Sequence, residues 1–140
     1  MRVMAGLWLC AAALVLGACT SLPHKPLIPV PPLQLGADWK RTGVETPDLA
    51  GAPSSVQALK PVQWVRTSYR QLDRMVQVQV FGMPTEASAF EARQKWQGGE
   101  RSTSFHKSNL FVVCSSETEA MSNLLEFTKL VENEWLRGGR

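Results

Sequence analysis

The side chains best equipped for chemistry are few: two histidines, His24 and His106, and three cysteines, Cys10, Cys19 and Cys114. A metal centre needs several convergent His, Cys, Asp or Glu ligands, and the chain has neither a CxxC nor an HxxxH spacing. A hairpin could bring His106 near Cys114, but two ligands do not close a site. The plainer reading of His106 is a surface or loop histidine, and no metal or cofactor is expected. Cys114 ends the apolar run LFVVC and precedes a helix start at Ser116. Reactive thiolates do occur at such places, yet no motif sets a base beside it. A small buried hydrophobe explains it as well. There is no GxSxG elbow, no Ser-x-x-Lys in a suitable setting and no phosphate loop around Gly98-Gly99. Glu117 and Glu119 suit the positive end of a helix, and Glu126, Glu132 and Glu134 its wet face. No catalytic residue is assigned.

Charge excludes little more. The 140 residues carry 15 basic and 12 acidic side chains, a formal +3, which is no nucleic-acid footprint. Arg66, Arg70, Arg74, Arg93, Lys95, Arg101 and Lys107 outnumber the acids of their region, whereas the last helix is acidic. The domain is therefore expected to be dipolar, with either a positive patch for an anionic partner or ordinary solubilising charge.

The amino terminus is more explicit. Met1-Arg2 supplies one cation, an uncharged apolar run follows from Val3 to Leu16, and the segment ends in Leu16-Gly17-Ala18-Cys19. Val3 to Ala18 is 16 residues, shorter than the roughly 20 that span a bilayer. One cation, a short apolar core and small residues at the end make a signal peptide over residues 1–18. Its last four residues resemble the lipobox of bacterial lipoproteins, with Gly then Ala in place of the commoner Ala then Gly. The resemblance covers only the signal and its cysteine. It implies cleavage between Ala18 and Cys19, diacylglycerol on the Cys19 thiol, and palmitate-type acylation of the new amino terminus. Several acyl chains anchor firmly, since each buried CH₂ contributes about 0.8 kcal/mol. In Gram-negative members an Asp after the cysteine favours the inner membrane, so Thr20 implies the outer membrane, facing the periplasm. Cys10 then leaves with the signal and Cys19 carries lipid, so Cys114 has no disulfide partner within the mature chain.

Residues 19–61 read as a lipidated end and a Pro-rich tether, because eight of the nine prolines precede residue 62. Proline fixes φ and removes a donor, so Thr20 to Leu33 should be extended and partly polyproline II. Trp39 could turn 37–44 into a short strand or a loop packed on the domain.

Residues 62–140 read as a small α+β domain. Val62–Tyr69 is rich in β-branched and aromatic residues and predicts a strand. Val76, Val78 and Val80 alternate with Gln77 and Gln79 and predict a half-buried strand, joined to the first as a hairpin. Pro84 is expected to open a helix that Gly98-Gly99 stops. Residues 101–107 form a weaker strand, and Leu110–Cys114 a central strand buried on both faces. Ser116 and Glu119 suggest a capping box for a last helix. Its stripe is Met121, Leu124, Leu125, Thr128, Val131 and Trp135, and Gly138-Gly139 ends it. The expected architecture is a mainly antiparallel sheet with two helices on one face, in the order β-β-α-(β)-β-α. Its outline resembles that of small bacterial envelope lipoproteins.

The expected role is that of a lipid-anchored envelope module. It would be held to the membrane through Cys19 and be non-catalytic, with an envelope protein as partner. The alternatives are a carrier with an apolar pocket between sheet and helices, and a thiol enzyme centred on Cys114.

Overall fold

The structure, a computed structural model, describes residues 27–137. The expected signal segment 1–18 and lipobox-like Leu16–Cys19, with His24 and Gly138-Gly139, lie outside the described residues. The strands are β1 Gln34–Leu35, β2 Trp39–Glu45, β3 Gln63–Gln71, β4 Arg74–Gly82, β5 Ser102–Lys107 and β6 Leu110–Ser115. The helices are α1 Ser54–Gln57, α2 Glu86–Lys95 and α3 Met121–Leu130, which continues as a π-helical turn, Val131–Trp135. The strands form one antiparallel sheet in the order β1-β2-β3-β4-β6-β5.

The hairpin β3–β4 is the longest ladder, in register from Gln63↔Gly82 to Gln71↔Arg74. Its period-two pattern works as the valine alternation predicts. Val76, Val78 and Val80 point into one core and Gln77 and Gln79 to the opposite face. Leu72 opens this two-residue loop at φ +52°, and Ser108 opens the β5–β6 loop at φ +50°. Each residue accepts a backbone state that costs a side chain about 1 kcal/mol or more, which the flanking ladders offset.

One expectation is corrected here. The helices do not share a face of the sheet. β6 sends Leu110, Val112 and Cys114 to one side, where Val76–Val80 meet Leu124, Phe127, Val131 and Trp135 of the last helix. It sends Phe111 and Val113 to the other, where Trp64 and Phe81 meet Ala89 and Ala92 of α2 and Val56 of α1. A strand apolar on both faces needs a layer on each. Leaving Phe111 bare would forfeit about 2–3 kcal/mol of burial.

The helix starts also differ from expectation. Pro84 stands before the cap of α2, and Thr85 is the cap itself. The Thr85 hydroxyl accepts from the Ser88 amide at 3.1 Å while Ser88 Oγ accepts from the Thr85 amide at 3.1 Å. A hydroxyl can take up a free helix amide, which a proline ring cannot. Before α3, Ser116 Oγ accepts from the Thr118 and Glu119 amides, but the helix begins only at Met121, with Ala120 at the cap. The S-x-x-E pair is therefore a turn and not a capping box, because the Glu119 carboxylate is committed to Arg74. The stripe of α3 is centred on Phe127 where the spacing suggested Leu125. Trp39 and Tyr69 offer Phe127 an aromatic socket at 4.8 and 5.9 Å between ring centroids, and Met121 and Leu125 face water.

The segment expected to be tether is largely part of the domain. From Leu27 onward it forms a strap across the α3 side of the sheet and then supplies β1 and β2. Ile28, Leu35 and Trp39 are buried in the core there. Three proline-rich carbonyls find donors on the domain: Pro29 accepts from Trp135 Nε1 at 2.9 Å, Pro31 from the Arg41 guanidinium, and Pro32 from Tyr69 Oη at 2.8 Å. Proline brings acceptors without donors, so it docks where side chains present N–H and O–H groups.

Candidate functional site

α2 and α1 cover only half of their face of the sheet. They lie over Trp64, Phe81, Phe111 and His106, which are in register across β3, β4, β6 and β5. The other half is an open trough of about 750 Å³ whose lining mixes polar groups with a larger share of apolar surface, Met75 and Val76 among it. Its floor is a second row in register, Ser68–Gln77–Ser115–Ser102. Toward β2 it continues past Gly43 and Thr42, where a smaller recess shares Ser68, Met75 and Gln77 with it. The rim is made by Gly99–Arg101 on one side, Glu117–Thr118 beside it, and Asp73 at the hairpin tip.

The floor is polar because these positions alternate with the core. Three of the four neighbour a buried residue in the chain, Thr67 and Tyr69 for Ser68, Val76 and Val78 for Gln77, and Cys114 for Ser115. The rim charge is the reverse of what the sequence suggests. Asp73, Glu100 and Glu117 line the mouth with Arg101, whose guanidinium donates to the Glu117 carbonyl, and Arg70 reaches the trough-lining Met75 Sδ at 3.5 Å. The cations that could have formed a positive patch are spread over the molecule, and several are engaged. Arg66 pairs with Glu45 and lies over Trp64 at 5.7 Å, Lys95 pairs with Glu91, and Lys107 donates to the Glu132 carbonyl. Arg74 makes two bonds to Glu119, at 2.5 and 2.6 Å, and covers Trp39 at 5.1 Å. The Arg74 guanidinium holds the Glu119 carboxyl below its usual range, against the opposing effect of burial. This pair lies on the α3 side, where it joins the hairpin to the turn before α3.

The candidate residues do not assemble. His106 is opposite Phe111 on the α2 side, its ring edge-on to Phe90 at 5.3 Å. Cys114 is opposite Thr103 and points into the α3-side core. The two are on opposite faces of the sheet. Burial pushes the Cys114 thiol up to about 12, with only a small pull downward from Thr128, so at neutral pH it is a protonated hydrophobe and not a nucleophile. Glu117 is at the trough rim and Glu119 on the other side of the sheet, so they form no carboxylate pair. Among the described residues no three His, Cys, Asp or Glu side chains gather around a point that could hold an ion. No helix among them is long and apolar enough to cross a membrane. Burial also raises the Tyr69 phenol, with Arg41 lowering it slightly, so its hydroxyl stays a donor to Pro32.

Sequence reasoning did not find the trough residues Ser68, Gln77, Ser102 and Ser115. Gln77 showed as the polar half of an alternation, but only strand register sets it between two serines. No protein-family model, curated protein or solved structure matches the chain.

Proposed function

We propose that this chain is a lipid-anchored module of the bacterial cell envelope, acylated at Cys19 after cleavage behind Ala18, that binds a partner polypeptide in the trough. The anchor rests on the signal segment and its lipobox; the outer membrane, facing the periplasm, is the expected address. One observation carries the binding reading: half of a sheet face is left open, floored by hydroxyl and amide groups in register and ringed by carboxylates. Sheet faces are covered where stability alone decides, as α2 covers the other half. An open polar row offers hydrogen bonds to a chain that lies across it, and the acidic mouth favours a segment carrying lysine or arginine. The buried, protonated Cys114 and its distance from His106 argue against the thiol enzyme. The volume favours a second reading, since about 750 Å³ falls within the range of small-ligand sites; the mixed lining suits an amphipathic ligand.

The test is a photo-crosslinking amino acid placed at Gln77 in cells, with Gln94 on the outward side of α2 as control and Cys19→Ala as the unanchored control. A discrete adduct from Gln77, absent from Gln94 and weakened in Cys19→Ala, supports the module. No adduct at Gln77, together with a small molecule retained in native mass spectrometry, replaces it with the ligand reading.

A further inference from the structure

The strap Leu27–Leu33 carries an apolar stripe that faces water. Ile28 and Pro31 are buried, whereas Leu27, Val30 and Leu33 are 40, 82 and 73% exposed. The spacing of three in each set is that of a polyproline II helix, whose successive turns repeat every three residues. One side of the strap is thus fixed to the domain and the opposite side is a row of branched aliphatic groups. At its start Leu27 lies over Gly82 beside Gln63. Solubility alone would place polar residues there. Nothing in the core requires them to be apolar either, since Ile28, Pro31 and three carbonyl bonds already hold the strap.

Cys19 and Leu27 are eight residues apart, which an extended chain spans in at most about 28 Å. With residues 27–61 packed on the domain, a long spacer does not exist. A Cys19 lipid would keep the strap within one link length of the bilayer surface, where its outer side can reach the headgroup region. We infer that the Leu27–Val30–Leu33 face of the strap rests on the membrane interface, so that the lipid and the strap together fix the orientation of the domain. This inference rests on acylation at Cys19. Met121 and Leu125, one turn apart on the outer side of α3, are on the same side of the sheet and exposed at 41 and 49%. The trough is on the opposite side. The domain would then lie with its strap toward lipid and leave Ser68, Gln77 and Ser115, on the other side of the sheet, facing the aqueous space, where a partner can reach them.

The experiment uses the full lipidated chain, purified in detergent and reconstituted into vesicles of phosphatidylethanolamine and phosphatidylglycerol. An environment-sensitive fluorophore is attached at Val30→Cys, or at Gln94→Cys on the α2 side. Cys114 is buried and Cys19 carries lipid, so the label goes to the new thiol. Both sites are exposed, so neither variant should lose thermal stability. The inference expects blue-shifted emission from position 30 and quenching by brominated lipid several-fold stronger than at position 94. Equal quenching at the two positions overturns it, as does a blue shift at position 30 that bromine does not quench, which would mean a protein lying on the strap. Intact mass separates the premises: a chain without acyl mass overturns the anchor itself, and a lipidated chain with an unquenched strap overturns only the orientation.

Discussion

Replacing Glu119 with glutamine isolates the one ion pair among the described residues whose acid is buried. The Glu119 side chain is 2% exposed and that of Arg74 is 36% exposed. Two charge-assisted bonds connect them, and a charged hydrogen bond contributes about 1.5–3 kcal/mol. Breaking a fully buried pair costs roughly 3–5 kcal/mol. Here Arg74 keeps water and the Trp39 ring, and glutamine keeps one acceptor, so the lower figure applies, about 2 kcal/mol at pH 7. In a domain of this size that is a fall in Tm on the order of 10 °C. The pH dependence has a definite sign. Arg74 depresses the folded-state value of Glu119, so its contribution is complete above the ordinary carboxylate value of about 4.3. It is lost as pH falls through the depressed folded value. Urea unfolding of the soluble chain from Thr20, at pH 7 and then stepwise to pH 2.5, should show a gap between wild type and Glu119→Gln that is constant to about pH 5 and then closes. The double change Arg74→Met with Glu119→Leu should recover part of the loss. A gap under about 0.5 kcal/mol at pH 7, or one that persists unchanged at pH 2.5, would refute the ion-pair account.

Two further outcomes are expected. In the chain from Thr20, where Cys114 is the one cysteine left, the thiol should react with a maleimide only after denaturant is added, at a rate tracking unfolding; rapid labelling of the folded protein would restore the thiol reading. Tyr69→Phe should cost about 1 kcal/mol through the lost bond to the Pro32 carbonyl and speed proteolysis within 27–33 more than within β3–β4; unchanged protection of the strap would show that Ile28 and Leu35 alone hold it.

Much of the local structure was legible in the sequence. The valine alternation of 76–80 defined a half-buried strand, and LFVVC a strand apolar on both faces. That second pattern already required cover on both sides of the sheet, so placing both helices on one face conflicted with a reading made from the same residues. The strap misled because proline density is common to flexible spacers and docked polyproline segments. What separates them is whether Trp135, Arg41 and Tyr69 offer donors, and those come from 106, 10 and 37 residues away.

The sequence by itself raised the expectation of a signal segment ending in a cysteine, and it determined the strands and helices after residue 62 and which β4 residues are buried. These follow from composition and from periods of two and 3.6, which depend on neighbours in the chain. Tertiary structure decided which faces the helices take, where Cys114 and His106 point, how the cations are neutralised, and that Ser68, Gln77, Ser115 and Ser102 share one open row. Register across strands is set by the sum of side-chain packing over the whole sheet, so no local window of the chain contains it.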